Sequence, residues 1–297
     1  MLTPPGILRL GRAAQSALAE GDEVGAERFA SQLLRHDPAS ETGLDVLTEV
    51  YRSTGRAIQA LELNRSALAC HRAAQLQNTI TFALHLLHCH GFRPRGILDI
   101  GAYAGEFSLL ARQFWPGTSI VMVEPQPGQR YQLESVRDQL GGDIRVESTL
   151  LGDRERTECA FEVLRTPWGS TGSSLYSELS PHERDTVMLP MTTVDRLLTA
   201  VPDRCFDLWK IDVQGAELDV LRGGTANLPT VEVLFAEVAL HECNRGAPRI
   251  AEVTAELDRL GFALWDLLPM GRDERGLQLQ IDAVFVRKSS PLWHPGT

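Results

Sequence analysis

The chain has 297 residues, 43% of them hydrophobic and 23% charged, and a formal net charge of -10. This is the composition of a globular protein with one large domain, or one ordinary domain plus an extension, and its acid excess argues against a nucleic-acid partner, which requires a basic face. Five scattered cysteines, Cys70, Cys89, Cys159, Cys205 and Cys243, contain no CxxC pair, so the sequence predicts neither a disulfide framework nor a zinc knuckle and favours a reducing compartment.

The N-terminal stretch is interrupted by Arg9, Arg12, Glu20, Asp22 and Glu23. It therefore reads as neither a signal peptide nor a membrane span, and a cytoplasmic protein is expected. Residues 1–75 are Ala-rich and helical in pattern. Gly21, Ala26 and Leu33 recur as Gly55, Ala60 and Ala67, a spacing of 34 residues, and Leu10/Leu44 and Ala13/Leu47 share it. Glycines that end a first helix and small residues where helices cross make this extension resemble the tetratricopeptide repeat. Two such units fall short of a free-standing array, so they are expected to pack on the rest of the protein. The alternative is a generic helical cap.

A further helix is predicted over 78–92, with the "HLLHCH" run read as a packing face rather than a metal site. From residue 96 the texture changes. Apolar runs "GILDIG", "SIVMVEP", "IRVESTLL", "FDLWKIDV", "VEVLFAEV", "FALWDLL" and "QIDAVFVRK" alternate with helical segments at 105–114, 127–139, 215–222 and 249–260. Near-continuous apolar strands are buried on both faces. The pattern predicts an α/β domain over 76–297, a doubly wound, seven-stranded, mostly parallel sheet closed by a C-terminal antiparallel hairpin. The Ser/Thr/Gly-rich stretch 152–205 reads as an irregular insertion over the carboxyl edge.

After the first strand, "ILDIGAYAGEF" sets Asp99, Gly101, Ala102, Tyr103, Gly105, Glu106 and Phe107 at a strand-to-helix turn. Open α/β sheets bind ligands at this edge. The spacing is D-x-G-x-x-x-G rather than G-x-G-x-x-G. A pyrophosphate favours bare amides at a helix start, whereas acids here suit a cofactor with a cationic end. Glu124 follows Gly101 by 23 residues at the next strand tip, where a carboxylate can accept both ribose hydroxyls. Together these signals resemble the S-adenosylmethionine site of class I methyltransferases, with Pro125 and Ser148 as further contacts. Another bound nucleotide is the alternative.

The succession "ILDIGAYAGEFSLLA", "VEPQP", "MTTVDRLL", "LWKIDVQGAELDVLRGG" and "FAEV" resembles the FkbM family of methyltransferases over roughly residues 95–286. That resemblance implies a class I fold and O-methylation of a sugar or secondary metabolite. It matches Asp99, Gly101, Gly105 and Glu124 to the cofactor motif and Asp195 to an acidic position in "T-x-D-x-L". Tyr103 departs from the small polar residue, often Asn, of that motif, which puts one cofactor contact in question.

In "KIDVQGAE", strand alternation puts Lys210 and Asp212 on one face. Polar side chains at a buried strand end cost free energy unless paired. Asp212 is the candidate base for an acceptor hydroxyl, with Lys210 keeping it ionised. Glu217 falls in the first turn of the next helix, where the macrodipole favours an anion. Glu237 and His241 join Asp212 as orienting acid and shuttle, or the three hold a divalent metal, or they form a structural network. In the insertion, Trp168, Ser173, Ser174 and Tyr176 are candidate contacts for a polyol. The expected partners are a small-molecule acceptor and, through the N-terminal helices, a second copy or another protein, with no nucleic acid and no membrane. An N-methyltransferase on a small amine, or an interaction module with a degenerate catalytic domain, are the alternatives.

Overall fold

The computed structural model describes residues 4–36, 40–54, 56, 80–165, 170, 172–180, 182–201, 204–270, 272–273 and 275–293. The chain divides into two compact units, Met1–Gln77 and Asn78–Thr297. In the first unit, α1 (Pro4–Ala19), α2 (Glu23–His36) and α3 (Glu41–Ser53) are described. Gly21, at φ 77°, turns the chain between α1 and α2. The Asp22 carboxylate accepts the Gly25 amide at 2.9 Å and caps α2. Ala14, Ala17, Ala26 and Ala30 form a small core with Val46, Leu47 and Val50. Arg56 donates twice to Glu27, at 2.9 and 2.7 Å. The second half of the expected repeat, with Gly55, Ala60 and Ala67, lies outside the described residues.

In the second unit, seven strands build one sheet: β1 (Gly96–Ile100), β2 (Ser119–Val123), β3 (Ile144–Glu147), β7 (Leu208–Ile211), β8 (Val233–Ala239), β9 (Phe262–Pro269) and β10 (Gln280–Arg287). Their order is β3-β2-β1-β7-β8-β10-β9. The first five run parallel, and β10 is antiparallel to both β8 and β9. This is the mostly parallel sheet with a C-terminal antiparallel hairpin that the apolar runs predict.

Successive residues alternate faces, so each strand feeds two cores. Ile97, Met122 and Leu208 pack beneath α4 (Ile80–Cys89), α5 (Glu106–Phe114) and α6 (Arg130–Leu140). Leu98, Trp209 and Leu234 pack against α7 (Val194–Leu198), α8 (Glu217–Arg222) and α9 (Ile250–Arg259). Trp209 is fully buried and donates its indole N–H to the Phe206 carbonyl at 2.9 Å. Truncating such a side chain to alanine costs about 3–5 kcal/mol. Among the described residues no helix is long and apolar enough to cross a membrane.

Two expectations are corrected. The run "IRVESTLL" is not one strand: β3 ends at Glu147, and β4 (Leu150–Leu151) joins a second sheet. The stretch 152–205 is not irregular either. It contains β5 (Arg156–Arg165) and β6 (Glu183–Thr192), paired antiparallel, in a sheet of order β4-β6-β5. Only Phe161, Leu164 and Met191 of these two strands are buried, and the apolar run Val187–Met191 of β6 lies largely outside the core. Their small core joins Leu150, Phe161 and Met191.

Candidate active site

The tips of β1, β2 and β7 open onto a cleft that is partly open to solvent, at the sheet edge where open α/β folds hold their ligands. Tyr103, Glu124 and Pro125 line one side and Asp212, Val213 and Gln214 another. Phe161, Ser170, Ser173 and Leu175, from the second sheet and the loop within it, contribute further walls.

The turn after β1 is built for close approach. Gly101 sits at φ 74°, and a Cβ there would collide with the Asp212 carbonyl, so only glycine lets the turns after β1 and β7 meet. The amides of Gly101 and Ala102 both donate to the Val123 carbonyl, at 2.9 and 3.0 Å. Gly105, at φ 88°, serves helix packing: a Cβ would press on Leu133 and Val136 of α6 at 3.2–3.3 Å. Glu124 is 4% exposed. Its Oε2 accepts the Tyr103 amide at 3.0 Å and its Oε1 the Gln126 amide at 2.9 Å. Burial pushes its pKa up, against the pull of those two amides.

Asp99 is fully buried and does not line the cavity. Its Oδ2 accepts the Ser108 hydroxyl at 2.6 Å. Its Oδ1 has no hydrogen-bond partner and lies 3.7 Å from Lys210 Nζ. Burial pushes this carboxyl up, with Lys210 and Ser108 opposing. Phe107 packs into the core, its ring edge-on to Phe235 at 5.5 Å. Ala102 is buried, Glu106 is exposed on α5, and Ser148 is exposed while its neighbour Thr149 lines the cavity.

On the β7 side the charges are dense. Lys210 donates to the Gly101 carbonyl at 2.7 Å and lies 3.2 Å from Asp212 Oδ2. Burial works against its ammonium, but Asp212 and Asp99 outweigh it and raise the pKa. Gln214 Nε2 donates to Asp212 Oδ1 at 2.8 Å and to Glu237 Oε1 at 2.6 Å. Gln280 Nε2 donates to the same Glu237 oxygen at 2.7 Å and to Gln214 Oε1 at 3.0 Å. Asp282 stands opposite Glu237 in the β8–β10 register. Burial, then Asp212 and Asp282, push Glu237 well up. Burial and Asp212 push Asp282 up to about 7. Glu217 is buried too, accepts the Gly215 amide at 2.9 Å, and is pushed up to about 7 by burial.

Strand-tip geometry thus brings Lys210, Asp212 and Glu237 into one network, while His241 is exposed beyond β8. Gln214, which belongs to the polar "KIDVQGAE" junction, is part of that network, as are Gln280 and Asp282, which do not stand out in the sequence. Gln280 and Asp282 lie in the last strand, where only the β8–β10 pairing reveals their neighbours. Among the described residues no group of three or more His, Cys, Asp or Glu side chains is arranged to hold a metal. The chemistry agrees, because Glu237 Oε1 already receives two amide N–H groups, which repel a cation. A divalent metal does not fit these donors.

Ser173 lines the cavity, though its hydroxyl donates to the Ser170 carbonyl at 2.6 Å and receives the Leu164 amide at 3.0 Å. Ser174 donates to the Gln214 carbonyl at 2.6 Å. Tyr176 gives its hydroxyl to Asp219 at 2.8 Å and is absent from the lining. Trp168 lies outside the described residues. Asp195 is a cap: it accepts the amides of Ala226 at 2.9 Å and Asn227 at 3.1 Å.

The strand order, the antiparallel closing hairpin and the cavity at the carboxyl edge define a class I methyltransferase fold. The chain belongs to the FkbM methyltransferase family: the model of the methyltransferase FkbM domain matches residues 99–264. No curated protein matches it by sequence. Similar solved structures include the magnesium protoporphyrin IX methyltransferase of Synechocystis PCC 6803 with bound SAM, at 10% identity and TM-score 0.42, covering 72% of this chain and 78% of that one. The ribosomal protein L11 methylase of Lactobacillus delbrueckii subsp. bulgaricus is 14% identical at TM-score 0.41, with 70% and 78% covered. The 1,6-didemethyltoxoflavin-N1-methyltransferase of Burkholderia thailandensis is 14% identical at TM-score 0.37, with 75% and 85% covered. Likenesses this distant carry no argument about the acceptor.

Proposed function

We infer that this FkbM-family chain uses S-adenosylmethionine to methylate a hydroxyl group of a sugar or secondary metabolite. The observation that carries the reading is one cavity lined on opposite sides by Glu124 and by Asp212, whose side chain is 27% exposed. The fit to the cofactor is chemical. Two carboxylates suit a cationic ligand with ribose hydroxyls, and Ile100, Val123, Leu150 and Phe161 supply apolar wall for an adenine. Glu124 would hold the ribose with the oxygen lone pairs left over from its two backbone amides. The cofactor, when bound, supplies a methyl group on a positively charged sulfur.

The chain's own work is to hold the acceptor and take its proton. Asp212 accepts the hydroxyl proton as charge develops on the acceptor oxygen. Lys210, 3.2 Å from Asp212 Oδ2, balances the carboxylate's charge and ties it to the Gly101 turn. The walls from the second sheet limit water around the reacting oxygen. Calorimetry with S-adenosylmethionine and transfer of its labelled methyl into small polyhydroxyl acceptors test the reading. Asp212→Asn is expected to lower turnover about 10²–10⁴-fold with cofactor affinity unchanged. Absence of cofactor binding by the unaltered chain would favour a degenerate interaction module instead.

A further inference from the structure

Gln214 is an unusual residue at an unusual backbone position. Its φ is +54°, in the left-handed region that a side chain seldom adopts. Its carbonyl is held there by the Ser174 hydroxyl at 2.6 Å. Its side chain uses its donors and its acceptor at once. Nε2 serves Asp212 and Glu237, at 2.8 and 2.6 Å, and Oε1 receives Gln280 at 3.0 Å. Two carboxyl acceptors and one amide donor fix which end of the amide is nitrogen. Asp212 is consequently gripped from both ends, by Gln214 on Oδ1 and by Lys210, 3.2 Å away, on Oδ2.

A carboxylate gripped by one partner alone can still swing about its Cβ–Cγ bond. Gripped by two, its plane is set, and the remaining lone pairs face a fixed direction. A proton acceptor must lie within hydrogen-bond reach of the hydroxyl it serves, and small errors in direction are costly. We propose that Gln214 is a positioning residue that sets the direction of the Asp212 carboxylate and couples it, through Ser174, to the loop lining the cavity. The proposal rests on the reading of Asp212 as proton acceptor. It adds that the neighbouring amide, rather than the lysine alone, makes that carboxylate effective.

Two variants test it. Gln214→Asn tolerates the positive φ and keeps an amide, but one methylene shorter. Gln214→Glu keeps length and removes both N–H donors. Crystal structures of the wild type and both variants with S-adenosylhomocysteine present read the carboxylate directly. The Asp212 carboxylate is expected to rotate by about 30° or more, or to split between orientations, as it leaves its native well. The Glu124–Tyr103 contact serves as an unmoved internal standard. An Asp212 carboxylate that keeps its direction in both variants overturns the proposal, with or without activity.

The kinetic arm uses a polyhydroxyl acceptor that the wild type methylates. Each variant is expected to lose about 10–100-fold in kcat, the size of effect a misplaced group produces, with the KM for S-adenosylmethionine unchanged. Combined with Asp212→Asn, each should add little further loss, because a residue acting through Asp212 has nothing left to position. Losses that multiply in the double variant, or a rise in cofactor KM without a fall in kcat, also overturn it. If the wild type binds no S-adenosylmethionine, the proposed function fails, while the carboxylate orientations still decide the clamp.

Discussion

The two sides of the cavity are built on different principles. The β2 side is made of backbone: Glu124 receives the amides of Tyr103 and Gln126, and Gly101 and Ala102 donate to Val123. The β7 side presents Asp212 and Gln214 to the cavity, and these are backed by side chains of β7, β8 and β10, with Glu237 and Asp282 beside a single lysine. A wall of backbone amides is local and tolerant of what lies beyond it. A wall of half-buried carboxyls depends on every neighbour, because each acid raises the cost of ionising the next. In the proposed chemistry the first wall holds the cofactor and the second handles the acceptor's proton.

The sharpest way to break this contrast is at the point where the two walls touch. Gly101→Ala would drive a Cβ into the Asp212 carbonyl and impose a side chain at φ 74°. We expect a loss of more than about 3 kcal/mol, or failure to fold, since backbone must move on both strands. Urea unfolding of the variant measures it. A variant as stable as the wild type would mean the two walls do not depend on that close approach.

Next comes Glu124→Gln, which tests the β2 wall alone. The amide cannot accept both backbone N–H groups, and the charge is lost. Charge-assisted bonds are worth about 1.5–3 kcal/mol, so S-adenosylmethionine should bind roughly 10–100-fold more weakly by calorimetry. The position of Asp212 should not change. If turnover fell while affinity held, Glu124 would belong to the acceptor side instead.

The same contrast explains what could be read from the chain and what could not. Runs such as "GILDI" and "SIVMV" carry strand identity in their own composition, because a strand covered by helices on both faces must be apolar throughout. The Asp99–Gly101 turn and Glu124 are likewise local signals at strand ends. By contrast β5 and β6 bury only Phe161, Leu164 and Met191, and Pro190 interrupts the apolar run Val187–Met191, so neither reads as a buried strand. Gln280 and Asp282 gain meaning only from pairing with Ala239 and Glu237 across β8–β10. Asp99 and Phe107 show the reverse limit. Both lie in the cofactor-like motif, yet one is buried behind the turn with Ser108 and the other fills the core against Phe235.

A pH experiment sharpens the β7 wall. Asp282 has its pKa pushed up to about 7, from an ordinary value near 3.8, mainly by burial. A carboxyl raised on folding stabilises the fold in its protonated form, fully below its unfolded pKa. That contribution fades as pH rises from about 4 to 7 and is gone above. Asp282→Asn should therefore melt higher than the wild type at pH 8, by roughly a few degrees, and the difference should vanish at pH 4. Each melting temperature must be compared at matched pH, because burial also raises Glu217 and Glu237. Equal melting of the two proteins at pH 8 would mean that Lys210 fully balances the cluster.

The smallest expected effect concerns Tyr176, which belongs to neither wall. Its hydroxyl donates to Asp219 Oδ2 at 2.8 Å, and Asp219 Oδ1 is independently held by Arg222 at 2.8 Å. Burial, then the neighbouring Asp219, push the phenol up to about 12, so it stays protonated and donating throughout the physiological range. Tyr176→Phe removes one hydrogen bond and leaves Asp219 with a partner. The cost should be about 0.5–1.5 kcal/mol in stability, read by urea unfolding, with cofactor affinity and acceptor KM within about twofold. Because the phenol is already spent on Asp219, it has no second proton for a polyol, and Phe161 and Leu175 remain as the cavity's contact on that side. A tenfold rise in acceptor KM would reverse this and bring Tyr176 into the acceptor site, making the Asp219 contact a resting partner that the acceptor displaces.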